Sequence, residues 1–277
     1  MIDCLIDGFI DTLKILPYLF ITFLILEFLE HKMSKKTENI IKKNQKIGPI
    51  YGGILGALPQ CGFSTISSNL YSSGIITMGT LIAIFLSTSD EMLPIMLSEK
   101  VDILLMLRIV GFKVIVGIIV GFIVDLIYKR KSKTDIHHIC EEEHCHCEEH
   151  NLFVSSLLHC LKIGAFILIA NLGINLIIYY IGEDTFKDLL LNGGVFTYLL
   201  ASLVGLIPNC ASSVIITELY LSSLISLGTL FAGLLTGSGL GILLLFKNNK
   251  NLKENIMILS IIYFVGVLIG LIVDVLI

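Results

Sequence analysis

The sequence predicts an all-α integral membrane protein made of two inverted-topology repeats, each with about five membrane segments and with helices broken by proline. Three observations carry this prediction. Of the 277 residues, 55% are hydrophobic and 15% are charged, and the mean hydropathy is +0.89, which is too apolar for a soluble globular chain. One motif occurs in both halves of the chain. A loop rich in lysine in the first half corresponds to an acidic loop in the second half.

Several apolar runs reach or approach the ~20 residues that a helix needs to cross a bilayer. They are residues 11–30, 77–98, 155–181, 225–246 and 256–277. Either eight or ten crossings fit the whole pattern, and we favour ten. The formal net charge of −4 is small, which argues against nucleic acid as a partner. The lipid bilayer is the expected environment, and the sequence does not indicate an oligomeric state.

The repeated motif is GALPQCGFS at 56–64 and GLIPNCASS at 205–213, 149 residues later. The same offset holds without a gap to the end of the chain, where it relates Asp125 to Asp274. Chance similarity among apolar helices would not keep Gly, Pro, Cys, Tyr and Asp in register over this length. The sequence therefore predicts an internal duplication, with membrane repeats at 1–128 and 152–277 and a linker at 129–151.

The loop charges predict the orientation, because Lys and Arg in short loops favour the cytoplasm. Residues 32–46 contain six lysines, whereas the corresponding residues 183–188 contain three acids and one lysine. Corresponding loops should therefore face opposite sides of the membrane, which defines an inverted repeat. We expect a multi-pass protein of the cell membrane with the linker in the cytoplasm and both termini outside.

The two motifs predict an ion pathway. Proline lacks the backbone donor that a helix needs, and irregular backbone at membrane depth persists only where it is buried in protein or lines a wet cavity. The thiols at these breaks suit soft metal or metalloid ions. Alternatively, each proline only kinks a helix and each cysteine is a small core residue. The candidate residues are Pro59, Gln60, Cys61, Ser64, Pro208, Asn209, Cys210 and Ser213.

Acidic residues inside apolar runs add charge to this pathway. Asp90 and Glu91 interrupt the run at 81–97, and carboxylates at such depth indicate an ion or proton site. The residues of the second half that correspond to Asp90 and Glu91 carry no carboxylate. Elsewhere in the second half, Glu218 occupies the position that corresponds to Asn69 of the first half. One site could combine these four side chains. Alternatively, the acid pair lies in a surface turn and Glu218 caps a helix.

Other charged residues near the ends of the apolar runs are assigned to the membrane surface. Asp125 and Asp274 are matched acids in the last helix of each half, and we expect them to be interfacial. Arg108 and Lys113 should extend their charged groups from an outer helix end to water.

The linker is rich in metal-binding side chains. Residues 137–150 contain five His, three Cys and five Glu, and short His/Cys-rich tracts are typical of metal binding. Their spacing matches no closed structural zinc site, so a loose, exchangeable chelator is predicted; the alternative is a solvated acidic linker. The candidate ligands are His137, His138, Cys140, His144, Cys145, His146, Cys147 and His150.

The motifs GALPQCGFS, LSTSDEMLPIM, GLIPNCASS and AGLLTGSGLGILLLF, together with the His-rich central loop, resemble the ten-transmembrane heavy-metal exporters. Members of that family are labelled arsenic efflux proteins or manganese transporters. The resemblance covers nearly the whole chain and implies a membrane exporter of metal or metalloid ions with about ten helices. The Pro-x-Cys motifs also resemble those of the organoarsenical permeases.

We therefore expect a secondary transporter that exports a transition-metal or heavy-metal cation, such as manganese, by alternating access at a midplane site. The alternative is an arsenic or organoarsenical efflux permease that uses Cys61 and Cys210. No phosphate-binding motif of ATPases is present, and the expected metal is transported or loosely bound rather than a prosthetic group. We do not expect an enzyme: a thiol oxidoreductase would need a Cys-x-x-Cys pair, and a metal sensor would need an output domain.

Overall fold

The computed structural model describes residues 47–58, 61–89, 92–128 and 194–276, and some of the residues at 9–24 and 157–172. Every regular element in this part of the chain is an α-helix. The prediction of an all-helical protein is therefore confirmed for the described residues. The proposed boundaries of the two repeats and the linker stay predictions.

The first half contributes five described helices and the second half another five. Those of the first half are α1 (Gly48–Gly56), α2 (Cys61–Ser72), α3 (Met78–Ser87), α4 (Met92–Ser98) and α5 (Ile103–Ile127). Those of the second half are α6 (Val195–Gly205), α7 (Cys210–Leu221), α8 (Leu227–Thr236), α9 (Gly241–Asn248) and α10 (Leu252–Leu276). Each helix of the second half starts close to 149 residues after its counterpart.

Four stretches of the described chain are long and apolar enough to cross a membrane. They are Met78–Ser98, which contains α3 and α4, Ile103–Ile127, Leu227–Asn248, which contains α8 and α9, and Leu252–Leu276. The first and third are 75% and 83% buried, whereas α5 and α10 are only 28% and 33% buried. The stretches through α3 and α8 are thus central, and α5 and α10 expose apolar side chains that suit lipid.

Both halves build the start of their central helix in the same way. Thr77 caps α3 by accepting a hydrogen bond from Thr80 N at 3.1 Å, and Ser226 caps α8 in the same way through Thr229 N, also at 3.1 Å. Such side chains satisfy amide groups that a helix leaves unpaired at its first turn. The duplication seen in the sequence therefore recurs in these three-dimensional contacts.

The matched aspartates complete these two helix starts. Asp125 of α5 accepts hydrogen bonds from Thr77 Oγ1 at 2.6 Å and from Gly79 N at 2.8 Å. Asp274 of α10 accepts one from Gly228 N at 2.7 Å and another from Ser226 Oγ. Both acids are half-buried. Each aspartate therefore joins the last long helix of its half to the central helix.

The central and outer helices of each half cross at glycines. In the first half Gly79 and Gly121 approach so closely that a Cβ atom on either one would meet the carbonyl oxygen of the other. Gly228 and Gly270 form the same contact in the second half. Small residues permit this close approach of helices inside membranes. Glycine at these four positions therefore sets the distance between α3 and α5 and between α8 and α10.

The two halves contact each other crosswise. Helix α2 packs against α9, α7 packs against α4, and the central helices α3 and α8 touch. Ser68 Oγ donates a 2.7 Å hydrogen bond to the Gly241 carbonyl oxygen across the α2–α9 contact. Phe112 of α5 stacks at a tilt on Phe231 of α8, with ring centroids 4.7 Å apart. The ends of α3 and α8 consequently lie in the interior, between the halves.

Candidate functional site

A small cavity lies where the interruptions of the two halves meet. Its volume of about 10 Å³ is close to the space that one water molecule needs. It is bounded by the loop after α3, the start of α4, the start of α7 and the loop after α8. The lining residues are Thr88, Ser89, Met92, Asn209, Ser212, Ser213, Leu234, Gly237 and Gly239.

Helix ends of both charges surround this cavity. Helices α3 and α8 end at Ser87 and Thr236, immediately before lining residues of the cavity. The last carbonyl groups of a helix carry a partial negative charge, and interrupted helices place such C-terminal ends beside the coupling cations in transporters. The starts of α4 and α7, which carry a partial positive charge, border the same cavity. The cavity can therefore hold a polar or charged ligand against several helix ends.

Two of the predicted pathway residues line the cavity, namely Asn209 and Ser213. Asn209 is buried, and its carbonyl oxygen accepts a 2.9 Å hydrogen bond from Ser212 Oγ. Pro208 is half-buried in the turn between α6 and α7. The structure thus brings the second motif to the loop that follows α3. Asp90 and Glu91 lie outside the described residues, and the sequence positions on either side of them, 89 and 92, both line the cavity.

Three further predicted residues are placed away from the cavity. Ser64 is buried in α2, and its carbonyl oxygen accepts hydrogen bonds from Ser67 Oγ at 2.7 Å and Ser68 Oγ at 3.0 Å. Asn69 is also buried, and its Oδ1 accepts a hydrogen bond from Asn248 of α9. Glu218 is exposed on α7. The first two belong to the α2–α9 contact, and none of the three lines the cavity.

The remaining predicted ligands fall outside the described residues. They are Pro59, Gln60, the side chains of Cys61 and Cys210, and the linker residues His137, His138, Cys140, His144, Cys145, His146, Cys147 and His150. Within the described part of the chain, no group of three or more His, Cys, Asp or Glu side chains could hold a metal ion. The chelating role of the linker stays a prediction.

The prediction that Lys113 extends to water is wrong. Its side chain is 0% exposed, and Nζ donates a hydrogen bond to the Thr88 carbonyl oxygen at the cavity. Lys113 lies ten residues into α5, about 15 Å from the helix start, which is too deep for its side chain to reach the surface. Arg108, five residues earlier, is exposed. The depth of Lys113 in the apolar run was the signal that could have identified it.

Comparison with known families decides the class of this protein. A family model described as "Putative, 10TM heavy-metal exporter" matches residues 1–171, which is more than half of the chain. The chain belongs to this exporter family. The match contains the first Pro-x-Cys motif, the Asp90-Glu91 pair and the His-rich linker, so the prediction of this family is confirmed. The motifs at 205–213 and 232–246 lie beyond the matched residues. No curated protein and no solved structure matches this chain.

Ser238 is a second buried polar residue near the cavity that the sequence analysis did not identify. It stands between the lining residues Gly237 and Gly239, is fully buried, and its hydroxyl finds no hydrogen-bond partner among the described residues. Its counterpart Ser89 donates a 3.2 Å hydrogen bond to the Ser87 carbonyl oxygen. A buried unpaired hydroxyl is costly, and Ser238 lies next to the cavity without being one of its lining residues.

Replacing Ser238 with alanine should separate transport from stability. Removal of an unpaired buried hydroxyl relieves a desolvation cost of about 1–3 kcal/mol, so the melting temperature in detergent should stay equal or rise. Export should fall if the hydroxyl binds the cargo. Ser260→Ala is the matched control, because Ser260 is a serine of α10 outside the cavity. Equal export by both variants would contradict the assignment.

A buried polar network at the start of α10 was also not predicted. Glu254 is buried and accepts a 3.0 Å hydrogen bond from Tyr71 OH of α2. Asn249 and Asn255 bond to each other at 2.7 Å beside it. The sequence signal is the polar stretch 247–255, which separates the apolar runs 225–246 and 256–277. This network stabilises the contact between α2 of the first half and the α9–α10 connection of the second.

Proposed function

We propose that this family member is a secondary transporter that exports a transition-metal or heavy-metal cation, such as manganese, from the cytoplasm by alternating access. The observation that carries the proposal is the cavity between the ends of α3 and α8, which polar groups of both halves line. A site shared by two repeats changes its access when one repeat rocks against the other. A cavity inside one half would offer no such mechanism.

The repeated contacts support an inverted architecture for this mechanism. The same cap, aspartate and glycine contacts occur around α3 and around α8, so the halves are alike as units. The reversal of loop charge predicts opposite orientations of the two units across the membrane. In this proposal the two Pro-x-Cys motifs interrupt helices that line the ion pathway, and they approach each other from the two halves.

The ligand chemistry favours an ion that accepts oxygen donors. Asn209 and Ser213 line the cavity, and the oxygen atoms of amide and hydroxyl groups suit ions such as Mn²⁺. In the proposal Asp90 and Glu91 supply the negative charge that a cation needs, and the linker collects the ion in the cytoplasm. The cargo is a substrate, and no resident metal is required.

Uptake into inside-out membrane vesicles tests the proposal with a panel of Mn²⁺, Zn²⁺, Cd²⁺ and arsenite. Wild-type vesicles should accumulate one of the divalent cations above empty vesicles. Asp90→Asn should lower that accumulation about tenfold or more, because a charged ligand contributes about 1.5–3 kcal/mol. Glu218→Gln is the matched control: it removes an exposed carboxylate away from the cavity and should leave uptake unchanged.

The same panel contains the outcomes that would overturn the proposal. Arsenite accumulation that is lost in Cys61→Ser and Cys210→Ser, with no divalent cation transported, would establish the arsenic permease instead. Absence of accumulation of any ion above empty vesicles would refute export altogether. Equal uptake by Asp90→Asn and wild type would show that the charge of Asp90 is not needed to bind the ion.

A further inference from the structure

Two contacts between the halves of the exporter are copies of one another. Helix α2 packs against α9, and helix α7 packs against α4. The offset of 149 residues relates α2 to α7 and α4 to α9. Three lysines lie at and after the end of α9, whereas Glu99 and Asp102 follow α4. The loop charges therefore predict that α2 and α9 lead toward the cytoplasm, and that α4 and α7 lead toward the outside.

The α2–α9 contact is closed where the two helices begin. Ser64 lies in the first turn of α2, Gly241 is the first residue of α9, and both are buried. A Cβ atom at position 241 would lie 2.8 Å from the Ser64 carbonyl oxygen and 2.9 Å from Phe85 Cε1. Ser68 Oγ also donates a 2.7 Å hydrogen bond to the Gly241 carbonyl oxygen. The two helices therefore touch, with no room for a methyl group between them.

Buried polar groups hold the same contact closed at its far end. Asn248 of α9 donates a hydrogen bond to Asn69 Oδ1 of α2. Tyr71 OH of α2 donates another, at 3.0 Å, to Glu254 Oε2 of α10. Asn69, Tyr71 and Glu254 are 3%, 0% and 8% exposed, and hydrogen bonds are stronger where water is excluded. Together these two bonds form a polar latch between the halves.

The α4–α7 contact borders a cavity at the positions that touch in the α2–α9 contact. Met92 corresponds to Gly241, and Ser213 corresponds to Ser64. Both Met92 and Ser213 line the cavity. Among the described residues, the cavity is bordered by α4 and α7 and by neither α2 nor α9. The space between the halves is therefore shifted toward the α4–α7 side.

The first bond of the polar latch has no equivalent in the α4–α7 contact. The residues that correspond to Asn69 and Asn248 are Glu218 and Glu99, and both are exposed. Ionised carboxylates have only acceptor atoms, so two of them cannot reproduce the hydrogen bond between two amides. Their like charges repel and do not hold the helices together.

The second bond of the polar latch has no equivalent there either. Tyr220 corresponds to Tyr71 but is half-buried, and Leu105 stands at the position that corresponds to Glu254. A leucine side chain offers no acceptor to a tyrosine hydroxyl. The polar latch can therefore hold only one of the two contacts, and that contact is the one closed in the structure.

We propose that the α2–α9 contact is the cytoplasmic gate of the exporter, closed in this structure by the polar latch, and that the α4–α7 contact is the outer gate. This inference rests on the proposed alternating access. A rocking motion that separates Gly241 from Ser64 brings Met92 toward Ser213, because equivalent contacts exchange roles in inverted repeats. Cargo enters from the cytoplasm in that second arrangement. The polar latch sets the balance between the two arrangements.

Tyr71→Phe tests the gate, because it removes the hydroxyl that donates to the Glu254 carboxylate. The measurement is hydrogen–deuterium exchange of the full chain in detergent, with mass spectrometry of peptides from α2, α4, α7 and α9. Tyr220→Phe is the matched control, since it removes the equivalent hydroxyl where Leu105 replaces the acceptor. No ion is added, so the result does not depend on the identity of the cargo.

Tyr71→Phe should speed exchange in α2 and α9 about fivefold, because the loss of one hydrogen bond of about 1 kcal/mol favours opening by that factor. Exchange in α4 and α7 should become slower, by up to about twofold, because the arrangement with a closed outer gate becomes more populated. Tyr220→Phe should change neither pair. The slower exchange in α4 and α7 is decisive, since loss of a purely structural bond would speed exchange at the α2–α9 contact alone.

Faster exchange in α2 and α9 without slower exchange in α4 and α7 would overturn the gate, as would equal effects of Tyr71→Phe and Tyr220→Phe. If Tyr71→Phe does not accumulate, Ser68→Ala takes its place, because it removes the bond to Gly241. Failure of both variants to accumulate would make the contact structural only. Opposite changes at the two contacts in a protein that exports no cation would refute the cargo and leave the gate standing. Cation export without opposite changes would refute the gate alone.

Discussion

Gly79→Ala is expected to prevent the chain from accumulating as a folded membrane protein. A Cβ atom at position 79 would fall within 3.0 Å of the Gly121 carbonyl oxygen and of the Asp125 carboxylate carbon. The carbonyl oxygen belongs to the backbone of α5, so it cannot rotate away as a side chain would. Helices α3 and α5 would have to separate. We expect a loss at or above the upper end of the usual cost of overpacking, about 3 kcal/mol.

The measurement is the yield and melting temperature of the protein in detergent. Gly111→Ala is the matched control, because the added Cβ in α5 meets nothing within 4 Å. This control should be as stable as wild type or more stable, since alanine favours a helix over glycine by about 1 kcal/mol.

Gly228→Ala should reproduce the defect, because its Cβ would meet the Gly270 carbonyl oxygen. Equal melting temperatures for Gly79→Ala and Gly111→Ala would show that the α3–α5 crossing tolerates a methyl group. The close glycine contact would then not hold these helices at their present distance.

Asp274→Ala is expected to cause the second large loss of stability. Its carboxylate accepts hydrogen bonds from Gly228 N at 2.7 Å, Tyr198 OH at 2.7 Å and Ser226 Oγ. The Gly228 N–H belongs to a buried residue, whereas Tyr198 is half-buried and Ser226 is exposed. A buried donor without its acceptor costs about 1–3 kcal/mol, and the two other donors lose less. We therefore expect a total loss of roughly 2–3 kcal/mol, seen as a lower melting temperature.

Alanine variants of two other aspartates should lose less stability than Asp274→Ala. Asp125→Ala should cost less, because Asp125 accepts from Thr77 and Gly79 but has Pro49 at the position that corresponds to Tyr198. Asp102→Ala removes an exposed cap of α5, whose Oδ1 lies 3.2 Å from Leu104 N, and should cost about 1 kcal/mol. The melting temperature should be highest for Asp102→Ala, lower for Asp125→Ala and lowest for Asp274→Ala. Any order in which Asp274→Ala is the most stable of the three would refute this account of the helix starts.

The predicted site and the structural cavity agree in part. Asn209 and Ser213 were identified because Pro208 interrupts an apolar run, and such an interruption is visible in the sequence itself. Glu218 was grouped with them because it is a carboxylate in an apolar stretch, at the position that corresponds to Asn69. The structure places Glu218 on the exposed surface of α7, since register fixes position along a helix but not which face packs inward.

Lys113 shows what hydropathy could and could not assign: its depth in the apolar run indicates burial, but not the group that it contacts. Apolar side chains cover most of helix α5, so its sequence does not distinguish the face toward α3 from the face toward lipid. The contact of Lys113 with the Thr88 carbonyl oxygen exists because α3 and α5 cross closely at their glycines. Ser238 was missed for a related reason: an unpaired hydroxyl can be recognised only when all its neighbours are known.

The amino-acid sequence alone determined the helical membrane class, the internal duplication and the resemblance to the exporter family. These properties follow from local hydrophobicity and from residue types repeated in register, which need no knowledge of packing. The tertiary structure decided which polar groups meet: α2 with α9, α7 with α4, and the ends of α3 and α8 around one cavity. It decided them because contacts between residues distant in sequence depend on how helix faces pack, and apolar helices have many faces that look alike.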